Sequence, residues 1–145
     1  MRKDIEDFDF DFGNFYKNEA LTDLVAVYGT LRKGMGNHCL LSRAEFLGSQ
    51  RTDPIWEMYA SGCPVIVKGK SSILIEVYKV SKNNLNSLDR LEGYPDFYNR
   101  KIVKTNWGDA WIYFMEKLSL WPNMHKVEHG DYVKFRMGKM YDDED

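Results

Sequence analysis

The stretch Ser81-Lys82-Asn83-Asn84-Leu85-Asn86-Ser87-Leu88-Asp89-Arg90-Leu91-Glu92-Gly93-Tyr94-Pro95 carries the clearest helical signal in a chain otherwise patterned for strands. Leu85, Leu88 and Leu91 recur at helical spacing. Ser81 suits the N-cap, and Gly93 with Pro95 ends the helix. Outward from this stretch the runs are short. Leu24–Tyr28, Ala44–Asp53, Pro64–Val67 and Ser72–Val80 precede it, and Tyr98–Thr105 and Ala110–Met115 follow, with a turn at Trp107-Gly108-Asp109. Several are apolar, β-branched or aromatic, as strands are. A second, shorter helix is expected near Gly130–Met137. Several strands around one clear helix predict an α+β domain on a mostly antiparallel sheet or barrel.

Glu92 stands in the helix's apolar stripe. At about 100° per residue it falls between Leu85 and Leu88, while Asp89 lies on the stripe's flank. A carboxylate so placed points inward, where burial raises its pKa and the negative helix end pushes the same way. It would then exchange a proton near neutral pH. The competing reading ends the helix earlier and turns Glu92 to solvent or onto Arg100 or Lys101.

Tyr28-Gly29-Thr30-Leu31-Arg32-Lys33-Gly34 follows the first strand. Gly29 permits a tight turn and close approach of a ligand. Successive N–H groups there could hold a carboxylate or an oxyanion, although a purely structural turn fits the same residues. Met35 and Gly36 after Gly34 exclude the phosphate-loop pattern. Arg32 could attract an acidic substrate or stand solvated, and His38 is expected to bond within the loop.

The chain has 145 residues, 43% apolar and 29% charged, with a net charge of −2 and pI near 5.9. That describes one ordinary globular domain and lacks the basic footprint of a general nucleic-acid binder. No run reaches the roughly 18 apolar residues of a membrane span, and Met1-Arg2-Lys3-Asp4 does not begin a signal peptide. Cytoplasmic residence is the expectation, and Cys39 and Cys63, read as small buried apolar groups, suit a reducing compartment. Residues 1–20 form an acidic and aromatic extension, 21–140 the domain and 141–145 an acidic tail without fixed structure. Asp7-Phe8-Asp9-Phe10-Asp11-Phe12 alternates with period two. It reads as an edge strand packed on the domain, or as an arm spanning residues 7–16 for self-association or a partner. His125-Lys126-Val127-Glu128-His129 matches a zinc-peptidase pattern, but that motif needs a helix and a further ligand. A polar surface segment is the preferred reading, with no metal site. Trp56, Trp107, Trp111 and Trp121 are assigned to core and rim packing.

Two segments together resemble the γ-glutamyl cyclotransferase-like (AIG2-like) family. Val27-Tyr28-Gly29-Thr30-Leu31-Arg32, continued by Gly34, Asn37 and His38, is similar to its first signature; Leu88–Pro95, with Tyr98 and Arg100, is similar to its second. Pro64, Glu76-Val77-Tyr78 and Ala110-Trp111-Ile112-Tyr113 fall where the family has similar segments, so the likeness spans roughly Leu24 to Arg136. The resemblance implies a small mixed barrel with flanking helices and a cavity at one mouth. It implies Glu92 as the catalytic acid/base and Tyr28, Gly29, Thr30 and Leu31 as the substrate cradle, with Tyr98 on the cavity wall. The implied reaction is attack of the substrate's α-amine on its own γ-carbonyl, releasing 5-oxoproline and a free amine without metal or cofactor. The substrate is a small γ-glutamyl compound whose leaving group these residues do not specify. Ile75 stands where many members have Gly and is expected to reshape the cavity wall. A non-catalytic binding or regulatory protein on the same fold is the alternative.

Overall fold

Val25-Ala26-Val27 is apolar at every position, which suits a strand covered on both faces. In the computed structural model, which describes residues 19–118 and 123–144, this strand lies mid-sheet as β1 (Leu21–Val27). Its neighbours, in spatial order, are β2 (Glu45–Arg51), β5 (Leu74–Ser81), β1 itself, β7 (Gly108–Phe114) and β6 (Asn99–Thr105). β1 runs antiparallel to β5 and parallel to β7; the outer pairs are antiparallel. A second sheet places β3 (Trp56–Ser61) between β4 (Cys63–Lys68) and β8 (His125–Lys126).

The α+β class holds, with a correction to the barrel. Among the described residues the strands form two sheets, and neither closes. The physical reason lies where the larger sheet curls. The Trp107 indole, from the β6–β7 turn, rests on Gly48 of β2, where an added Cβ would sit 2.4 Å from it. Beside it the Asn106 N–H donates to Gln50 Oε1 at 2.7 Å. Side chains fill the place a backbone ladder would need. The two sheets meet instead near β4 and β7, where the Met115 N–H donates to the Ile66 carbonyl at 2.9 Å.

Alternation along the strands makes two cores. Ala26, Ile75, Val77 and Ile112 pack with Trp56, Met58 and Ile66 of the smaller sheet. Val25, Val27, Tyr78 and Val80 face the other way, against Leu85 and Leu88 of α1 (Lys82–Glu92). Ile75 is therefore buried between the sheets, away from the cavity wall expected for it.

The Ser81 hydroxyl accepts from the Asn84 N–H at 3.0 Å and starts α1. Gly93, at φ 67°, stops it. The Tyr94 N–H reaches the Asp89 carbonyl at 2.9 Å and the Gly93 N–H the Arg90 carbonyl at 3.2 Å, the paired bonds of a Schellman ending. Leu91, assigned to the apolar stripe, is 43% exposed, because the stripe's last turn overhangs a cavity.

The final helix, α2 (Tyr132–Glu144), begins later than expected and runs through the stretch read as an unstructured tail. Asp131 fixes its start by accepting from the Lys134 N–H at 3.1 Å. β3 and β8 had no counterpart in the sequence reading. The period-two arm at 7–16 and Trp121 lie outside the described residues. No helix among the described residues is long and apolar enough to cross a membrane.

Candidate active site

The end of α1 and the turn after β1 open onto one cavity of about 260 Å³. Glu92, half-buried, is the only charged side chain in its described lining. Burial pushes its carboxyl up to about 7. The cations considered as partners are engaged elsewhere. Arg100 pairs with Asp89 at 3.3 Å and is clasped between the rings of Tyr94 and Trp111, at 4.5 and 4.1 Å. Lys101 lies over Trp56.

The facing wall is the Tyr28–Leu31 turn. A Cβ on Gly29 would stand 2.5 Å from Pro64 Cγ, so glycine there lets β4 close against the turn. The Arg32 N–H donates to the Gly29 carbonyl at 3.0 Å, and the Asn37 N–H and Nδ2 bond the Thr30 carbonyl and Oγ1, both at 2.9 Å. His38 Nδ1 sits 2.8 Å from the Leu31 carbonyl, the contact within the loop expected of it. The N–H groups of Gly29, Thr30 and Leu31 donate to no backbone carbonyl among the described residues. Tyr28, Gly29, Thr30, Leu31, Glu92 and Tyr98 thus share one cavity.

Arg32 belongs to neither reading given for it. Its guanidinium is buried, with Nε on Glu76 Oε2 at 3.1 Å and a terminal nitrogen on Asp131 Oδ1 at 2.9 Å. It fastens the loop to β5 and to the start of α2, outside the cavity lining. Cys39 and Cys63 are exposed, not buried, and Cys63 joins the cavity wall beside Pro64 because its hairpin edge faces that space. His125 sits on β8 and His129 in the turn beyond, so the helical face that a zinc motif needs is not formed there.

Tyr113, to which no sequence motif attaches a role, also lines the cavity. Its hydroxyl donates to Asp89 Oδ1 at 2.6 Å, and its carbonyl accepts the Tyr28 hydroxyl at 2.8 Å. The Tyr98 hydroxyl donates to the Pro64 carbonyl at 3.2 Å. Burial raises the pKa of all three phenols, and the Glu92 charge adds to each. Tyr113 was signalled only by its place within Ala110–Tyr113, since β-alternation alone assigns it to a core.

A half-buried carboxylate raised by burial to about 7 shares one cavity with a turn whose N–H groups donate to no backbone carbonyl among the described residues, and on this two-sheet α+β frame that arrangement suits acyl transfer. The model of the family described as "Gamma-glutamyl cyclotransferase, AIG2-like" matches residues 25–134. A Vibrio cholerae protein, named provisionally as a gamma-glutamylcyclotransferase, is 42% identical over 113 residues, covering 77% of this chain and 96% of its own. The Escherichia coli K12 "Gamma-glutamylcyclotransferase family protein YtfP" is 30% identical over 110 residues, covering 75% and 95%. The crystal structure of a Pyrococcus horikoshii protein superposes with a TM-score of 0.72 at 30% identity, covering 83% of this chain and 98% of that one. The chain belongs to the gamma-glutamyl cyclotransferase, AIG2-like family.

Proposed function

We propose that the cavity cyclises a γ-glutamyl compound to 5-oxoproline and a free amine, with Glu92 carrying the protons. The observation behind this reading is a half-buried carboxylate, raised to about 7, with no cation in the described lining of the pocket it shares with the Tyr28–Leu31 turn. Such a group is basic enough to take a proton from an ammonium and acidic enough to return it.

The α-ammonium loses a proton to Glu92, and the resulting amine attacks the γ-carbonyl of the same molecule. A C–N bond closes the five-membered ring as the bond to the leaving nitrogen breaks. The α-nitrogen sheds two protons in becoming a lactam N–H. The leaving nitrogen gains two in becoming an ammonium, and Glu92 transfers them one at a time. Holding the chain folded removes much of the entropic barrier to ring closure. The free N–H groups of Gly29, Thr30 and Leu31 suit the substrate's α-carboxylate or the developing oxyanion. Tyr28 and Tyr98 line the same cavity. Two exposed thiols suit a reducing cytoplasm.

The test is a panel of γ-glutamyl anilides, alkylamides and peptides assayed for 5-oxoproline release. Wild-type protein should release it from at least one member, and Glu92→Gln should lower the rate by about 100-fold or more. Equal rates for the two proteins would remove Glu92 from the chemistry.

A further inference from the structure

A tyrosine hydroxyl has one proton to donate and lone pairs to accept with. In this cavity the protons are already committed. Tyr98 donates to the Pro64 carbonyl at 3.2 Å, and Tyr113 donates to Asp89 Oδ1 at 2.6 Å. A carbonyl has no hydrogen to offer in return. Asp89 pairs with Arg100 at 3.3 Å, and a carboxylate oxygen accepts rather than donates. Arg100 is in turn fixed between Tyr94 and Trp111, with only 15% of its side chain exposed. Both residues line the cavity, and their phenol oxygens have only lone pairs left to offer there. With Glu92 they set three acceptors on the cavity, beside the Tyr28 hydroxyl, whose proton goes to the Tyr113 carbonyl at 2.8 Å; the described lining contains neither Lys nor Arg.

We propose that Tyr98 and Tyr113 complete, with Glu92, a cage for a primary ammonium, the unblocked α-amine of the substrate, and that Asp89 with Arg100 positions the Tyr113 oxygen. A primary ammonium carries three hydrogens and so can use all three acceptors. An acylated or absent α-amine leaves them empty. Asp89 and Arg100 act through Tyr113 and touch no substrate. An asparagine in place of Asp89 could donate its amide hydrogen to the phenol oxygen. The hydroxyl would then turn its proton toward the cavity and repel the ammonium.

This inference rests on the cyclotransferase reading and is tested beside it. A γ-glutamyl anilide serves as substrate, and glutaric acid monoanilide, which lacks the α-amine and cannot cyclise, serves as competitive inhibitor. Tyr113→Phe should raise KM for the anilide about tenfold, the loss of roughly one charge-assisted hydrogen bond. The inhibition constant of the des-amino compound should stay within about twofold, because that compound makes no use of the bond. Asp89→Asn should do the same. Tyr59→Phe, whose hydroxyl bonds Glu57 outside the cavity lining, should change neither constant. Should Tyr113→Phe fail to fold, Tyr98→Phe makes the same comparison. Parallel shifts in the two constants, or no shift in either, would overturn the cage while leaving the reaction intact. Absence of 5-oxoproline from the whole panel would remove both.

Discussion

In the proposed reaction Glu92 would couple chemistry to stability through one proton. Its carboxyl is raised from 4.5 to about 7 by burial, so the folded protein binds that proton more tightly than the unfolded chain. The sign follows. The contribution to stability is complete below pH 4.5 and fades as pH rises through about 7, where a charge must be held in the pocket. Glu92→Gln keeps the shape and omits the charge. It should therefore melt higher than wild type at pH 8, by roughly 3 °C for each ~1 kcal/mol relieved, and match it at pH 4. Activity runs the opposite way, since the base is the ionised form. The wild-type kcat/KM should climb through pH about 7 and flatten above it. A flat profile from pH 5 to 9 would contradict this role. The inward direction of Glu92 was legible in the spacing of Leu85 and Leu88. The absence of a cationic partner among the described residues was not, because Arg100 is drawn off by Asp89, Tyr94 and Trp111, contacts that no local pattern encodes.

At the scale of elements, the site is a helix end and a turn, each shaped by a glycine with a distinct task. Gly93 takes a left-handed conformation, and Gly29 yields space to Pro64. Gly29→Ala should destabilise by about 1–3 kcal/mol in urea titration, as overpacking does, and should lower activity as the turn shifts. An alanine variant with unchanged stability and turnover would show that Pro64 moves aside freely. Both glycines were visible as punctuation, and α1 was read nearly to its ends because cap, stripe and stop agree. β3 was missed for the converse reason. Trp56, Met58 and Ala60 alternate in burial, yet Met and Ala carry little strand preference and Glu57 dilutes the signal. β8 is two residues long and exists only because β3 lies beside it.

Across the whole molecule, a buried charge cluster ties the loop to distant chain. Glu76 accepts from Arg32 Nε, from the Lys33 N–H at 3.0 Å and from the Tyr78 hydroxyl at 2.9 Å, while Asp131 holds the other side of Arg32. Burial alone would raise the Asp131 carboxyl; the hydrogen bond and charge of Arg32 bring it below its usual 3.8. Its stabilisation is thus present above pH 3.8 and is lost as pH falls through the lower folded value. Glu76→Gln leaves Arg32 partly uncompensated and should cost about 3 kcal/mol, read from urea midpoints at pH 7. A loss under about 0.5 kcal/mol would mean that Asp131 alone satisfies the arginine. From sequence, Arg32 read as attracting an acidic substrate or standing solvated, since its partners lie 44 and 99 positions away. Long-range pairing of this kind is what periodicity cannot show.

The seam where Trp107 rests on Gly48 gives the larger sheet a middle and two unequal clocks. β1 is bonded on both sides, so its amides should trade hydrogen for deuterium only when the domain unfolds globally. Among the described residues β2 and β6 each have one strand neighbour, and their outer amides should exchange by local opening. An exchange time course at neutral pH should therefore label the sheet from its rims inward. Because the turn after β1 hangs from that slowest strand, the wall opposite Glu92 would keep its shape through openings that release the rim.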